Sequence, residues 1–100
     1  MTTKIAIRQN KQLDTLAKQL LLVGDANRLK ILCAIFNQPE ICVSEIASEL
    51  KLHIAVVSHH LQALSKAGLL LPKRSGKKIC YSFSKNLFIK DLKKLICKCK

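Results

Sequence analysis

A mainly α-helical domain with one small β-hairpin is the fold class this sequence predicts, and three observations predict it. Apolar residues recur at three- and four-residue spacing over most of the chain. Only three Gly and two Pro interrupt it, which favours long helices. The period then changes to two over residues 69–83, around a Gly-centred turn. One hundred residues make one domain. A chain this short buries only ~60–65% of the surface it exposes when unfolded, so dimerisation is an easy way to enlarge its core.

Residues 1–8 carry no strong period and read as an arm. From Gln9 to Val23, the residues Leu13, Leu16, Leu20 and Val23 form an amphipathic helical stripe. Gly24 breaks it. Asp25 is the natural N-cap of a second helix through Leu29, Leu32 and Ile35 to Asn37, which Pro39 closes. A short helix fits Val43 to Lys51, with Ile46, Ala47 and Leu50 inward. Another fits Ile54 to Ala67, with Val57, Leu61 and Leu64 inward and Gly68 at the left-handed terminal position. The short gap between them is helix-turn-helix spacing, which assigns residues 43–67 to that motif. Leu69, Leu70 and Leu71 enter a strand, Ser75 to Lys77 turn, and Ile79, Tyr81 and Phe83 alternate with Cys80 and Ser82 on the return. This hairpin, 69–83, has a basic tip and follows the motif as a wing does. A last helix is expected over 86–98, with Phe88, Leu92, Leu95, Ile96 and Cys99 near one face. The whole is a winged helix-turn-helix.

Charge indicates the partner. Eighteen Lys and Arg oppose six Asp and Glu, for a net +12. From Lys66 onward there are eleven basic residues and one acidic residue, Asp91. Such a field recruits polyanions, and neutralised phosphates supply most DNA affinity. A merely solvated basic surface is the plainer reading. A membrane partner is not favoured, because no basic amphipathic helix stands out. With Val57, Leu61 and Leu64 inward, the outer face of the second motif helix presents Ile54, Ala55, Ser58, His59 and Gln62. Small and polar side chains there let a helix sit deep in the major groove. Ser58, His59 and Gln62 can hydrogen-bond base edges or phosphates, and Ala55 can touch a thymine methyl. Lys73, Arg74, Lys77 and Lys78 on the wing, with Lys66, suit phosphate or minor-groove contact and set affinity rather than sequence choice.

Met1 to Lys11 lacks the apolar core of a secretory signal, and no apolar run approaches ~18–20 residues, so a cytoplasmic setting is expected. The five cysteines are then expected mostly as thiols, and their odd number and scattered spacing argue against a disulfide framework. An enzyme is not expected. No cysteine–histidine–acid set converges at readable spacing, no Gly-rich phosphate loop is present, and aromatics are few. A winged-helix protein-interaction module is the rival reading; it would bind no operator-like duplex at any salt.

Four stretches together resemble the ArsR/SmtB family of bacterial winged-helix repressors: GDANRLKIL (Gly24 to Leu32), VSEIASELKL (Val43 to Leu52), VVSHHLQALSKAGLLL (Val56 to Leu71) and KRSGKKICYSF (Lys73 to Phe83). They cover about three quarters of the chain in the family's order. The resemblance implies a homodimer built from the first and last helices, an imperfect palindromic operator on double-stranded DNA, and release by an inducer. The apolar stripes of those two helices independently favour a dimer, the alternative being that both pack on the chain's own core. The family usually has a Ser-Gln pair where His53 and Ile54 stand, which weakens the cap of the recognition helix and alters what it reads. His60 stands where the family often keeps a histidine, and reads as structural.

The resemblance leaves three accounts of the cysteines. Family sensors of metalloids and cadmium carry a cysteine pair at the start of the third helix. Here Cys42 holds one position and Ser44, a poor soft-metal ligand, the other. The zinc sensors' Asp, His and Glu on the last helix reduce to Asp91. Cys97 and Cys99 point about 200° apart on an ideal helix. With a third thiol they could form an arsenite or cadmium site, so a metal or metalloid is a candidate inducer, while no cofactor is required. A second account takes Cys33, at the position used by the family's persulfide- and oxidant-sensing subgroup, paired with Cys99 or Cys97. The Lys93, Lys94, Lys98 and Lys100 cluster would lower the tail thiol pKa, while Cys33 looks buried, which would slow it. In the third account Cys33 is a core residue, Cys42 and Cys80 are incidental, and the tail cysteines are surface thiols.

Overall fold

The computed structural model of the chain describes residues 10–38 and 40–97. The arm at 1–8, Gln9, Pro39, Lys98, Cys99 and Lys100 lie outside the described residues. Along the rest run α1 (Lys11–Val23), α2 (Ala26–Asn37), β1 (Ile41–Cys42), α3 (Val43–Leu50), α4 (Ile54–Lys66), β2 (Leu70–Ser75), β3 (Lys78–Phe83) and α5 (Leu87–Cys97).

Each helix begins or ends where local chemistry allows it. The Asn10 side chain accepts from the Gln12 N–H at 2.8 Å and opens α1 at Lys11. The Asp25 carboxylate accepts from the Arg28 N–H at 3.0 Å and opens α2. Glu45 reaches back to accept from the Cys42 N–H at 3.0 Å, half of a capping box at the head of α3. Lys51 ends α3 at φ 56°, ψ 44°, a left-handed conformation that costs a residue with a Cβ about 1 kcal/mol or more. The Leu52 N–H then bonds back to the Ala47 carbonyl at 3.0 Å. Lys51→Gly is therefore expected to stabilise the fold by up to about 1 kcal/mol, read as a higher urea midpoint at unchanged m. At the end of α4, Gly68 takes φ 81° and turns the chain into the wing.

The wing differs from a lone hairpin. β1 adds to it, giving an antiparallel sheet of order β1-β3-β2. Ile41 pairs with Tyr81 and Cys42 with Cys80 on one side of β3; Leu70 pairs with Phe83 and Ser75 with Lys78 on the other. The turn is the two residues Gly76 and Lys77, and Gly76 takes φ 64°, as the first position of a tight hairpin turn requires. The base is fastened by Ser84, whose hydroxyl donates to the Gly68 carbonyl at 2.6 Å.

The core joins Ile31, Leu32 and Ile35 of α2, Ile46 of α3, and Val57, Leu61 and Leu64 of α4 to Tyr81 of β3 and Ile89, Leu92 and Ile96 of α5. The Phe36 and Phe83 rings stack at 4.1 Å between centroids, holding α2 on the sheet. Three expected core positions are corrected. Leu29 is 36% exposed, and Ile31 takes its place. Leu95 is 58% exposed, and Ile89 replaces it on the buried face of α5. Cys80 is 4% exposed although alternation assigns its face to solvent, because α3 packs on β3; Ile79, next to the hairpin turn, is 36% exposed while Tyr81 on the same face is buried. On α1, Val23 is buried, whereas Leu13, Leu16, Leu20 and Leu21 are exposed.

Candidate nucleic-acid interface and cysteine sites

With Val57, Leu61 and Leu64 buried, the opposite face of α4 stands in solvent. Ala55, His59 and Gln62 are exposed there, and Ser58 is half-buried. The Gln62 side-chain amide donates to the Ser58 hydroxyl at 3.3 Å, a contact one helical turn long that holds both polar ends outward. Ile54, 55% exposed, stands at the first turn of this face beside exposed His53. His53 occupies the N-cap position with extended backbone and makes no side-chain capping bond, so the first N–H groups of α4 stay available at the helix's positive end. Lys66 is exposed in the last turn.

On the wing, Lys73, Arg74, Lys77 and Lys78 are all exposed. Lys73 lies 3.6 Å from Glu40. Both partners are exposed, so the pair adds little stability, but it partly neutralises Lys73. Arg74 and Lys78 flank the hairpin turn, and Lys77 lies in it. Between α4 and this tip lies a groove of 420 Å³, bordered by Ser44, Ala55, Ser58, Lys77 and Lys78, with Cys42 in its wall. The outer face of α4 and the basic tip thus open onto one concave surface.

His60 points the other way. Its Nδ1 accepts from the Arg28 Nε–H at 2.9 Å, and the same guanidinium donates to the Leu22 carbonyl at 2.9 Å. This ties α4 to α2 and the end of α1, the structural role expected of it. Nothing in the local sequence reveals Arg28 as its partner, 32 residues away. Burial lowers the His60 pKa below the ordinary 6.5; the Arg28 charge and His59 add to this, and Asp25 opposes it. The unfolded chain therefore binds the proton more readily than the folded one. The stability this group contributes is complete above pH 6.5 and declines as the pH falls below that value toward the folded-state pKa. Urea unfolding from pH about 7.5 to 5.5 is expected to show this decline, and His60→Gln is expected to remove its share of the slope.

The cysteines depart from expectation. Cys42 and Cys80 form a disulfide across the β1–β3 pair. Topology brings residues 38 apart into register, which an odd, scattered count does not reveal. Neither cysteine is incidental, and Cys42 in this state is not available to a metal. Cys33 and Cys97 are thiols, the first half-buried rather than buried and the second exposed. The Asn37 side-chain amide approaches Cys33 Sγ at 3.9 Å. Among the described residues, no group of three or more His, Cys, Asp or Glu is arranged to hold a metal ion. Nor is any helix among them long and apolar enough to cross a membrane.

Three helices with a short turn before the third, a three-stranded wing and an outward-facing α4 define a winged helix-turn-helix. Residues 25–70 match the model of the bacterial regulatory proteins of the arsR family, and this segment is a helix-turn-helix domain of that family. The chain is 39% identical over 74 residues to the cadmium resistance transcriptional regulatory protein CadC of Listeria innocua, covering 74% of this chain. It spans 61% of that relative's length. Among solved structures, reduced HlyU of Vibrio cholerae superposes with a TM-score of 0.81 at 25% identity, covering 91% of this chain and 94% of that one. The transcriptional repressor PagR of Bacillus anthracis superposes at 0.74 with 28% identity, covering 87% and 99%.

Proposed function

We propose that this chain is a cytoplasmic DNA-binding transcriptional repressor that acts as a homodimer and leaves an imperfect palindromic operator when a thiol-directed signal arrives. The observation that carries the reading is the shared concave surface of α4 and the wing. Ala55, Ser58, His59 and Gln62 would read bases in the major groove, with Ile54 and His53 at the head of the helix. Arg74, Lys77, Lys78 and Lys73, the last paired with Glu40, would grip the backbone, with Lys66 supporting. The exposed leucines of α1 supply the second half of the argument. Together with Leu87 and Leu95 of α5 they are the apolar surface a second copy would cover.

Release is assigned to Cys33 with Cys97 or Cys99. α2 and α5 pack on each other, and the Lys93 ammonium lies 5.9 Å from the centre of the Phe36 ring. Cys33 and Cys97 each stand one helical turn from that contact. Joining them by oxidation or persulfide chemistry would pull on the helices that carry α4. A soft-metal signal through Cys97, Cys99 and a third thiol is the second reading, favoured by the cadmium-resistance relative. The two separate in one experiment. Purified wild type and Cys33→Ser are bound to a duplex selected for affinity, then challenged with arsenite, cadmium, peroxide and an organic persulfide. Release of wild type alone, by the oxidants or persulfide, supports the thiol switch. Release of both proteins by arsenite or cadmium only supports the metal, and release of neither by anything shows Cys33, Cys97 and Cys99 to be structural.

A further inference from the structure

We propose that Cys42 and Cys80 form a reversible redox clamp on the wing, a site separate from Cys33 and the tail cysteines. Its effect on DNA rests on the repressor reading; its effect on the wing does not. β1 is two residues long and holds β3 through two pairs only, Ile41 with Tyr81 and Cys42 with Cys80. The second pair is the disulfide, so one covalent bond fastens the wing's central strand to the head of α3. The two sulfurs differ in access. Cys80 is buried, whereas half-buried Cys42 forms part of the wall of the 420 Å³ groove, beside Ser44, Ser58, Lys77 and Lys78. A small thiol entering there meets Cys42 first, and the lysines stabilise the attacking thiolate.

The chemistry balances. A small thiolate attacks Cys42 Sγ, breaks the Cys42–Cys80 bond and forms a mixed disulfide, while Cys80 leaves as thiolate and takes up a proton. A second small thiolate attacks the mixed disulfide and departs as the oxidised small-molecule disulfide, leaving Cys42 reduced. The protein has gained two electrons and two protons from two thiols. A small-molecule disulfide reverses the sequence. Closed, the clamp holds Arg74, Lys77 and Lys78 at a fixed offset from α4, so no ordering of the wing is required on binding. Open, β1 retains only its backbone pairing and the wing must be ordered when DNA binds.

The test equilibrates the protein with glutathione or oxidised glutathione and reads amide exchange of residues 41–42 and 78–83, together with affinity for a selected duplex. Opening the clamp is expected to speed exchange in these strands about tenfold and to weaken the duplex complex about five- to tenfold. A variant with Cys33, Cys97 and Cys99 all replaced by serine is expected to keep both responses. Cys80→Ala is expected to behave as the reduced protein in either buffer; if it does not fold, the reduced wild type and the triple variant carry the test. Unchanged exchange on reduction overturns the clamp, as does loss of both responses in the triple variant. A faster wing with no duplex bound in either state supports the clamp and refutes the repressor reading.

Discussion

Replacing Arg74, Lys77 and Lys78 together by alanine is expected to weaken duplex binding by at least about 10²-fold near 0.15 M salt, and to flatten the salt dependence by about three ions per protomer. The physics is counterion release. Each phosphate neutralised by a wing cation frees a condensed ion, and the logarithm of affinity falls with slope about −0.9 per contact. The three side chains are exposed around the turn, while the recognition face of α4 carries no Lys or Arg before Lys66. Sequence preference should survive the change, because the residues meant to read bases are untouched. Gln62→Ala should do the reverse, narrowing the gap between chosen and random duplexes by about 1–3 kcal/mol with little change in salt slope. Binding titrations at several salt concentrations separate the two effects.

The second large effect belongs to α1. Leu16→Glu with Leu20→Glu is expected to leave a folded monomer and to lower operator affinity by about 10²–10⁴-fold, the factor that linking two half-site readers contributes. Both leucines are exposed on a helix whose one buried residue is Val23, so the substitutions leave the core intact. Sedimentation equilibrium reports the mass, and far-UV circular dichroism reports that the helices persist. A double variant that remains dimeric would exclude α1 as the dimer contact.

Much of this architecture could be read from residue order, and particular elements show why. In α3, and in α4 from Val57 onward, the large apolar residues keep to one face, so period and inward register agree with the positions found for Ile46, Val57, Leu61 and Leu64. Gly68 and Gly76 stand where the backbone takes positive φ. The α2 register was ambiguous because ILCAIF is apolar on nearly every side, and periodicity could not choose Ile31 over Leu29. β1 had no readable signal, since two residues have no period. The Cys42–Cys80 bond followed the same way, because its partners meet only when β1 joins the sheet. The α1 stripe favours a dimer but also allows packing on the chain's own core, and only the folded chain shows that Leu13, Leu16 and Leu20 are left open. On the interface, sequence marked the basic wing as a set but could not single out Lys73, whose partner Glu40 is brought close by folding.

Selection from a pool of random-sequence duplexes decides whether α4 and the wing form a sequence-reading DNA surface. The expected result is an enriched imperfect palindrome, with half-sites about one helical turn or a multiple apart, bound at least about 10³-fold more tightly than a scrambled duplex in the same salt. Recovery of no preferred sequence, with binding that is equal for all duplexes or absent at every salt, would contradict it.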